Sequence, residues 1–252
     1  MIHSNELLKH RKFLPLFITQ LLGALNDNVL RGAISIFITY SLVSDINQAT
    51  FWTQIATAMF ILPTLLFSAI SGELADKYKK VYLLRGAKLA EIFIVLMTSY
   101  FFLTDMPSPL ALMVCIFLMG AHSAVFSPAK FAYLPEYLEP DELLPANGLI
   151  EGSTFAVIAI GSGLSTLVGH SGYGIPTIIS LMIIFSVVGW LSSILIPGNR
   201  AQNPNLKVKL NFITSTQEKI DFCTSNEKVW IPILGISWFW VIGMVHMTNL
   251  AT

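Results

Sequence analysis

The chain has 252 residues, 54% of them hydrophobic and only 12% charged, against the roughly 25% charged expected of a soluble domain. Its fifteen basic and fifteen acidic residues cancel, and no basic tract is dense, which excludes nucleic acid as a partner. Cys115 lies in an apolar run and Cys223 in a polar connector, and neither belongs to a ligand-spaced cluster, so no disulfide, metal or cofactor is expected.

The leader MIHSNELLKHRK is polar and basic and has no small-residue cleavage site after it, so it is expected to stay attached to the apolar segment that follows. About 20 apolar residues cross a hydrocarbon core of ~30 Å. Seven such segments are read: Phe13–Val43, Phe51–Ser71, Val81–Leu103, Pro109–Phe126, Pro145–Val168, Gly174–Ile196 and Val229–Thr248. Barrel strands would alternate in character, so the predicted fold class is an all-α integral membrane protein.

The first segment is interrupted by Asn26, Asp27, Asn28 and Arg31. A charge at bilayer depth costs about 2.5–3.5 kcal/mol, so these side chains call for a protein- or water-lined interior. Asp27 and Arg31 are four residues apart, share a helical face and are expected to neutralise each other in part. Counted from Phe13, Asp27 lies about 21 Å along the helix, beyond the midplane.

Basic residues occupy alternate connectors: Lys9, Arg11 and Lys12 before the first span, Lys77, Lys79, Lys80 and Arg85 after the second, and Lys130 after the fourth. Arg200, Lys207, Lys209, Lys219 and Lys228 follow the sixth, and the other connectors have none. This alternation predicts a cytoplasmic N-terminus. Residues 1–197 then form a six-helix bundle and 198–228 a polar cytoplasmic connector with a short interfacial helix around Leu210–Phe222. Residues 229–252 are the first helix of an incomplete second bundle, as expected of a truncated repeat architecture.

Several further polar residues carry mainly structural readings. Lys88 and Glu91 are spaced i,i+3 near the start of the third span and are expected to pair with each other or with the preceding connector. His122, beside Ser123, reads as a hydrogen-bonded structural histidine, and His170 and His246 are uninformative. Gly161–Gly163, with Gly152, Ser153, Ser165 and Gly169, forms a small-residue stripe suited to close helix packing.

The connector GELADKYKKVYLLRGAK contains Gly72, Asp76, Lys77, Lys80 and Arg85. It resembles the cytoplasmic signature loop of the major facilitator superfamily, in which a Gly, three residues, an Asp and a basic residue are followed by further cations. Gly72, Asp76 and Lys77 match in place, whereas Lys79 stands where the family has a second Gly. The resemblance implies that Gly72 permits close helix approach, that Asp76 sits near a helix end, and that the cations stabilise a closed cytoplasmic side.

FITQLLGALNDNVLRGA, FSPAKFAYLPEYL and PANGLIEGSTFAVIAIGSG together resemble the lysophospholipid transporter branch of that superfamily, over nearly all of the chain. The resemblance implies that Asp27, Lys130 and Glu151 govern a substrate cavity and its gate, with Asn28 as helper. Asn147 and Glu151, four apart, share a face, and Lys130 is either a partner of Glu151 or of a lipid phosphate, or a snorkelling interfacial lysine. The implied activity is movement of lysophospholipid, with lysophosphatidylethanolamine foremost, across the bacterial inner membrane by alternating access. No enzyme activity is implied. Related fusions suggest an acyltransferase and acyl-carrier-protein ligase as partners. Alternating access requires a second bundle or a homodimer. A facilitator of another small solute, or a non-transporting fragment or acyltransferase anchor, are the competing readings.

Overall fold

A computed structural model describes residues 4–104, 108–169, 173–198, 201–206, 208 and 211–250, with side chains from residue 6 to residue 243 within that set. His170, Arg200, Lys207 and Lys209, and the side chain of His246, lie outside the described residues. The described secondary structure is helical: α1 (Ser4–Leu7), α2 (Leu14–Phe37, continued by a π turn over Ile38–Leu42), α3 (Ile46–Lys77), α4 (Lys80–Leu103) and α5 (Pro109–Tyr137). Then come α6 (Pro140–Ser165, with a 3₁₀ turn over Thr166–Gly169), α7 (Gly174–Ile194), α8 (Phe212–Thr224) and α9 (Glu227–Leu250). Six of these, α2 to α7, are long and apolar enough to cross a membrane.

Local chemistry accounts for the boundaries. Asp45 caps α3 by accepting from the Asn47 amide at 3.1 Å, and Glu139 and Glu142 form a reciprocal capping box at the start of α6, each satisfying an amide that has no partner inside the helix. Pro109 and Pro140 stand in the first turns of α5 and α6, where no donor is missed. The expected connector SPAKFAYLPEYLEPDELL is instead mostly helical. α5 runs through Pro128 and Pro135 to Tyr137, because the groups a proline frees can be satisfied by the surrounding helices. Lys130 is therefore not a connector cation but a residue buried on α5, 8% exposed.

The chain divides into two compact units, Met1–Val208 and Lys209–Thr252. In the first, α3 packs on α5, α2 on α6 and α7, and α4 on α5 and α7. Glycines allow the closest approaches: a Cβ at Gly120 would strike the Phe60 carbonyl of α3, and one at Gly161 would lie 2.8 Å from Asn28 Cβ on α2. Of the small-residue stripe on α6, Gly161 makes that contact, whereas Gly152 and Gly163 meet nothing within 4 Å. In the second unit, α8 is capped by Asn211 and packs against α9. α8 begins two residues later than the helix expected around Leu210–Phe222.

Two apolar clusters fill the bundle. One contains Leu16, Leu84, Phe126, Tyr133 and Ile150, the other Val29, Ile34, Ile94, Ile116, Val157 and Met182. Between them in sequence, on every one of these helices, lie polar groups, and the buried ones include Gln20, Asn26, Lys88, Glu91 and His122. The result is a polar stratum between two apolar layers.

Candidate functional site

The polar stratum surrounds a cavity of about 170 Å³ lined by Gln20, Gly23, Ala24 and Asp27 of α2, Lys88 of α4, His122, Ser123, Phe126, Ser127 and Lys130 of α5, and Thr154 of α6. Positions 20, 23, 24 and 27 make one face of a helix, as do 123, 126, 127 and 130. Two amphipathic stripes thus face one space.

Asp27 is partly buried, near the midpoint of a 29-residue helix that ends at Leu42. Ser123 Oγ donates to its Oδ2 at 2.6 Å, and its buried Oδ1 has no hydrogen-bond partner. Asp27 and Arg31 act on each other electrostatically, as expected of charges that neutralise each other in part, but make no direct contact. Arg31 donates instead to Asn28 Oδ1 at 3.1 Å and lies 5.4 Å from the Phe60 ring centroid. The reason is competition: Ser123 occupies Asp27 from across the bundle, and Asn28 offers Arg31 a nearer acceptor on its own helix.

Lys130 borders the same cavity, its ammonium 4.4 Å from the Phe131 ring centroid, a cation–π contact. Asp27 and Glu151 both act on it electrostatically, yet no carboxylate lies within 4.0 Å of it among the described residues. Of the other expected site residues, Asn28 donates back to the Ala24 carbonyl at 2.8 Å and Asn147 to the Leu143 carbonyl at 2.8 Å. The structure therefore brings Asp27 and Lys130 to one cavity and leaves Asn28, Arg31, Asn147 and Glu151 off its lining.

Beside the cavity lies a buried network that the sequence reading treated as structural. Lys88 and Glu91, both 0% exposed, form an ion pair. Asn26 Nδ2 donates to Glu91 Oε1 at 2.8 Å, and His122 Nε2 lies 3.3 Å from Glu91 Oε2. Lys88 threads between two helices at glycines: a Cβ at Gly23 would lie 3.2 Å from its Nζ, and one at Gly189 2.8 Å. Gln20 ties α2 to α6 by donating to the Ile150 carbonyl at 3.1 Å and to Thr154 Oγ1 at 3.1 Å. The spacing of Thr19, Gly23, Asn26, Leu30 and Ala33 is the signal that marks Asn26, rather than Asn28, as facing inward.

The signature connector lies at one end of the bundle, and most of it is helical. Gly72, Asp76 and Lys77 belong to the last turns of α3. A Cβ at Gly72 would meet nothing within 4 Å, so the close approach implied for it is not made by the described residues. The Asp76 carbonyl accepts from the Asn203 amide at 2.9 Å. Lys77 lies 5.5 Å from the ring centroid of Tyr78. Lys80 pairs with Glu136 of α5. Arg85 donates to the carbonyls of Ser193, Ile194 and Ile196 at 2.8–3.2 Å, satisfying acceptors at the C-terminal end of α7. Among the described residues no His, Cys, Asp or Glu cluster could hold a metal ion.

The arrangement can hold opposite charges at once. It offers a carboxylate with one free oxygen, an ammonium without a carboxylate partner, and hydroxyls from Ser123, Ser127 and Thr154, all within apolar walls. A second cavity, of about 500 Å³, lies against the far end of α2 and is lined by Ile36, Tyr40, Phe102, Val168, Ile175 and Pro176 among others, none of them charged.

The family profile described as Major Facilitator Superfamily matches residues 16–252. The chain is 26% identical over 246 residues to a protein of Cronobacter sakazakii named lysophospholipid transporter LplT, covering 95% of this chain and 57% of that protein. It is 27% identical over 253 residues to a protein of the same name from Escherichia coli O1:K1, covering 96% of this chain and 58% of that protein. The chain thus spans somewhat over half the length of the curated relatives it matches. No solved structure matches it.

Proposed function

We propose that this chain, which belongs to the Major Facilitator Superfamily, contributes the first helical bundle of a lysophospholipid transporter. The observation that carries this reading is the joint exposure to one cavity of Asp27, with its unpartnered oxygen, and Lys130, without a carboxylate partner. A lysophosphatidylethanolamine headgroup has an ammonium for Asp27 and a phosphate for Lys130, and charge-assisted contacts of this kind are the strong ones. The uncharged cavity near Ile36 lies about 14 Å along α2 from Asp27, within reach of the acyl chain. The names of the relatives point the same way.

In this reading the protein resides in the bacterial inner membrane with a cytoplasmic N-terminus. Glu151 modulates Lys130 from α6, and the cations at Lys77, Lys80 and Arg85 fasten the cytoplasmic side. Alternating access needs an opposing bundle, a role the proposal gives to further chain on the same polypeptide or to a second copy.

Uptake of radiolabelled lysophosphatidylethanolamine into proteoliposomes tests it. Asp27→Ala and Lys130→Ala are each expected to lower uptake tenfold or more, which corresponds to about 1.4 kcal/mol. Uptake unaffected by both substitutions would sink the assignment.

A further inference from the structure

Glu91 is faced by two bases. Its Oε2 takes the Lys88 ammonium and also lies 3.3 Å from His122 Nε2. On the other side of the ring, His122 Nδ1 lies 3.4 Å from Ser123 Oγ, whose hydrogen is given to Asp27 Oδ2 at 2.6 Å. A neutral imidazole has one N–H and an imidazolium two. Here each ring nitrogen faces an oxygen with a lone pair to offer, so a neutral ring can donate to one of them and a protonated ring to both. Nε2 has no hydrogen-bond partner in the present arrangement, and the ring lines the cavity.

The charges around the ring balance without it. Asp27 faces it from α2, Lys88 and Glu91 from α4, and Lys130 stands on its own helix. α7 has no charged residue between Gly174 and Ile194. α6 brings Glu151, which acts on Lys130. α3 meets α5 near this level through Phe60 and Pro63 at Gly120, and its buried Glu73 lies roughly three turns further along. Arg31 acts on Asp27 from its own helix, so Asp27, Glu91 and Glu151 are matched by Arg31, Lys88 and Lys130, and the charges cancel. The phosphate of a lysolipid without a headgroup ammonium, such as lysophosphatidylglycerol, adds one net negative charge, which a low-dielectric site tolerates poorly.

We propose that His122 is a proton-binding site coupled to the anionic group of the ligand. As a phosphate enters the cavity, Lys88 leaves Glu91 for the phosphate oxygens, and His122 takes one proton from the aqueous phase at Nε2 and replaces Lys88 as the cation on Glu91. One negative charge and one proton enter together, and the only bond formed is the ring N–H. The inference rests on the lysophospholipid reading for its ligand, whereas the proton site itself rests on the geometry of His122, Glu91 and Lys88.

The test uses the 252-residue chain in phosphatidylcholine nanodiscs, in weakly buffered solution with a pH-indicating dye, titrated with radiolabelled lysophosphatidylglycerol. The expected result is uptake of about one proton per lysolipid bound, with affinity rising up to about tenfold per unit of falling pH. His122→Gln is expected to bind more weakly and with no proton uptake. Binding without proton uptake by the unsubstituted chain, or uptake unchanged in His122→Gln, overturns the proposal.

Should His122→Gln fail to fold, a chain with His3, His10, His170 and His246 replaced by glutamine leaves a single imidazole for ¹⁵N NMR. Its signal must change from neutral to imidazolium on adding the lysolipid, and an unchanged signal overturns the proposal. If neither lysophosphatidylglycerol nor lysophosphatidylethanolamine binds, the transporter reading fails, and inorganic phosphate becomes the probe. Phosphate-dependent protonation of the single histidine then upholds the proton site, and no response to phosphate overturns it as well.

Discussion

Lys88 and Gly189 compete for one volume: a Cβ at position 189 would stand 2.8 Å from both Cε and Nζ of the buried lysine. The glycine on α7 is the reason that an ammonium from α4 can reach the centre of the bundle. Gly189→Ala is expected to destabilise the protein by about 1–3 kcal/mol, the usual cost of overpacking. Combined with Lys88→Ala, which vacates the space, the alanine at 189 should cost almost nothing further. Thermal unfolding of the two singles and the double measures this, and strictly additive losses would count against the shared volume.

Lys88→Met alone leaves Glu91 as a buried charge without its ammonium, and Glu91→Leu alone does the same to Lys88. Each is expected to cost about 3–5 kcal/mol. The double substitution removes both charges and should recover most of that loss, since a buried pair replaced by apolar residues is often neutral or stabilising. Denaturation of the detergent-solubilised chain checks the coupling, and a double variant as unstable as the sum of the singles would contradict it.

Ser123→Ala takes from Asp27 the only hydrogen bond made to its carboxylate among the described residues. Leaving a buried acceptor unsatisfied costs about 1–3 kcal/mol. Folding stability should fall within that range, whereas lysolipid uptake should fall less than in Asp27→Ala, because the carboxylate itself remains. Equal loss of uptake in both variants would mean that the hydroxyl, not the carboxylate, meets the ligand.

Asn147→Ala serves as a contrast to Lys130→Gln. Asn147 spends its amide on the Leu143 carbonyl one turn back and lies off the cavity lining, so lysolipid affinity should stay within about twofold, the range of an uninvolved site. Lys130→Gln should weaken binding about tenfold, as loss of a charge-assisted contact does. Equilibrium binding of labelled lysolipid separates the two, and a larger effect at Asn147 would relocate the site to α6.

The apolar segments were legible because their length is fixed by the solvent, and six of the seven correspond to helices that meet the length and hydropathy of a span. α9 covers the position of the seventh. What failed was the end expected for the fourth span at Phe126, since α5 runs on through Pro128 and Pro135, and in a helix packed among helices a missing donor does not end the element. That error displaced Lys130 from the interior to a connector. Asp27 and Arg31 do act on each other across one turn, yet their hydrogen bonds go elsewhere: spacing says which residues share a face, not which partners arrive from other helices. Asn26 and Asn28 are equivalent by composition, and only the small and polar stripe through Thr19, Gly23 and Ala33 distinguishes them. The meeting of Glu91 with His122, 31 positions apart in the chain, is set by the packing of α4 on α5 and has no local signature.

Three polar groups of α2, those of Gln20, Asn26 and Asp27, look to helices made after it. Gln20 bonds to α6, Asn26 to Glu91 of α4 and the Met182 carbonyl of α7, and Asp27 to Ser123 of α5. During synthesis the first span reaches the membrane with these groups unmatched, and the last of their partners appears only when α7 has been made. The first membrane span to be produced is therefore among the last to have its partners in place. The hydrogen bonds of this span can be complete only after the sixth span has been made.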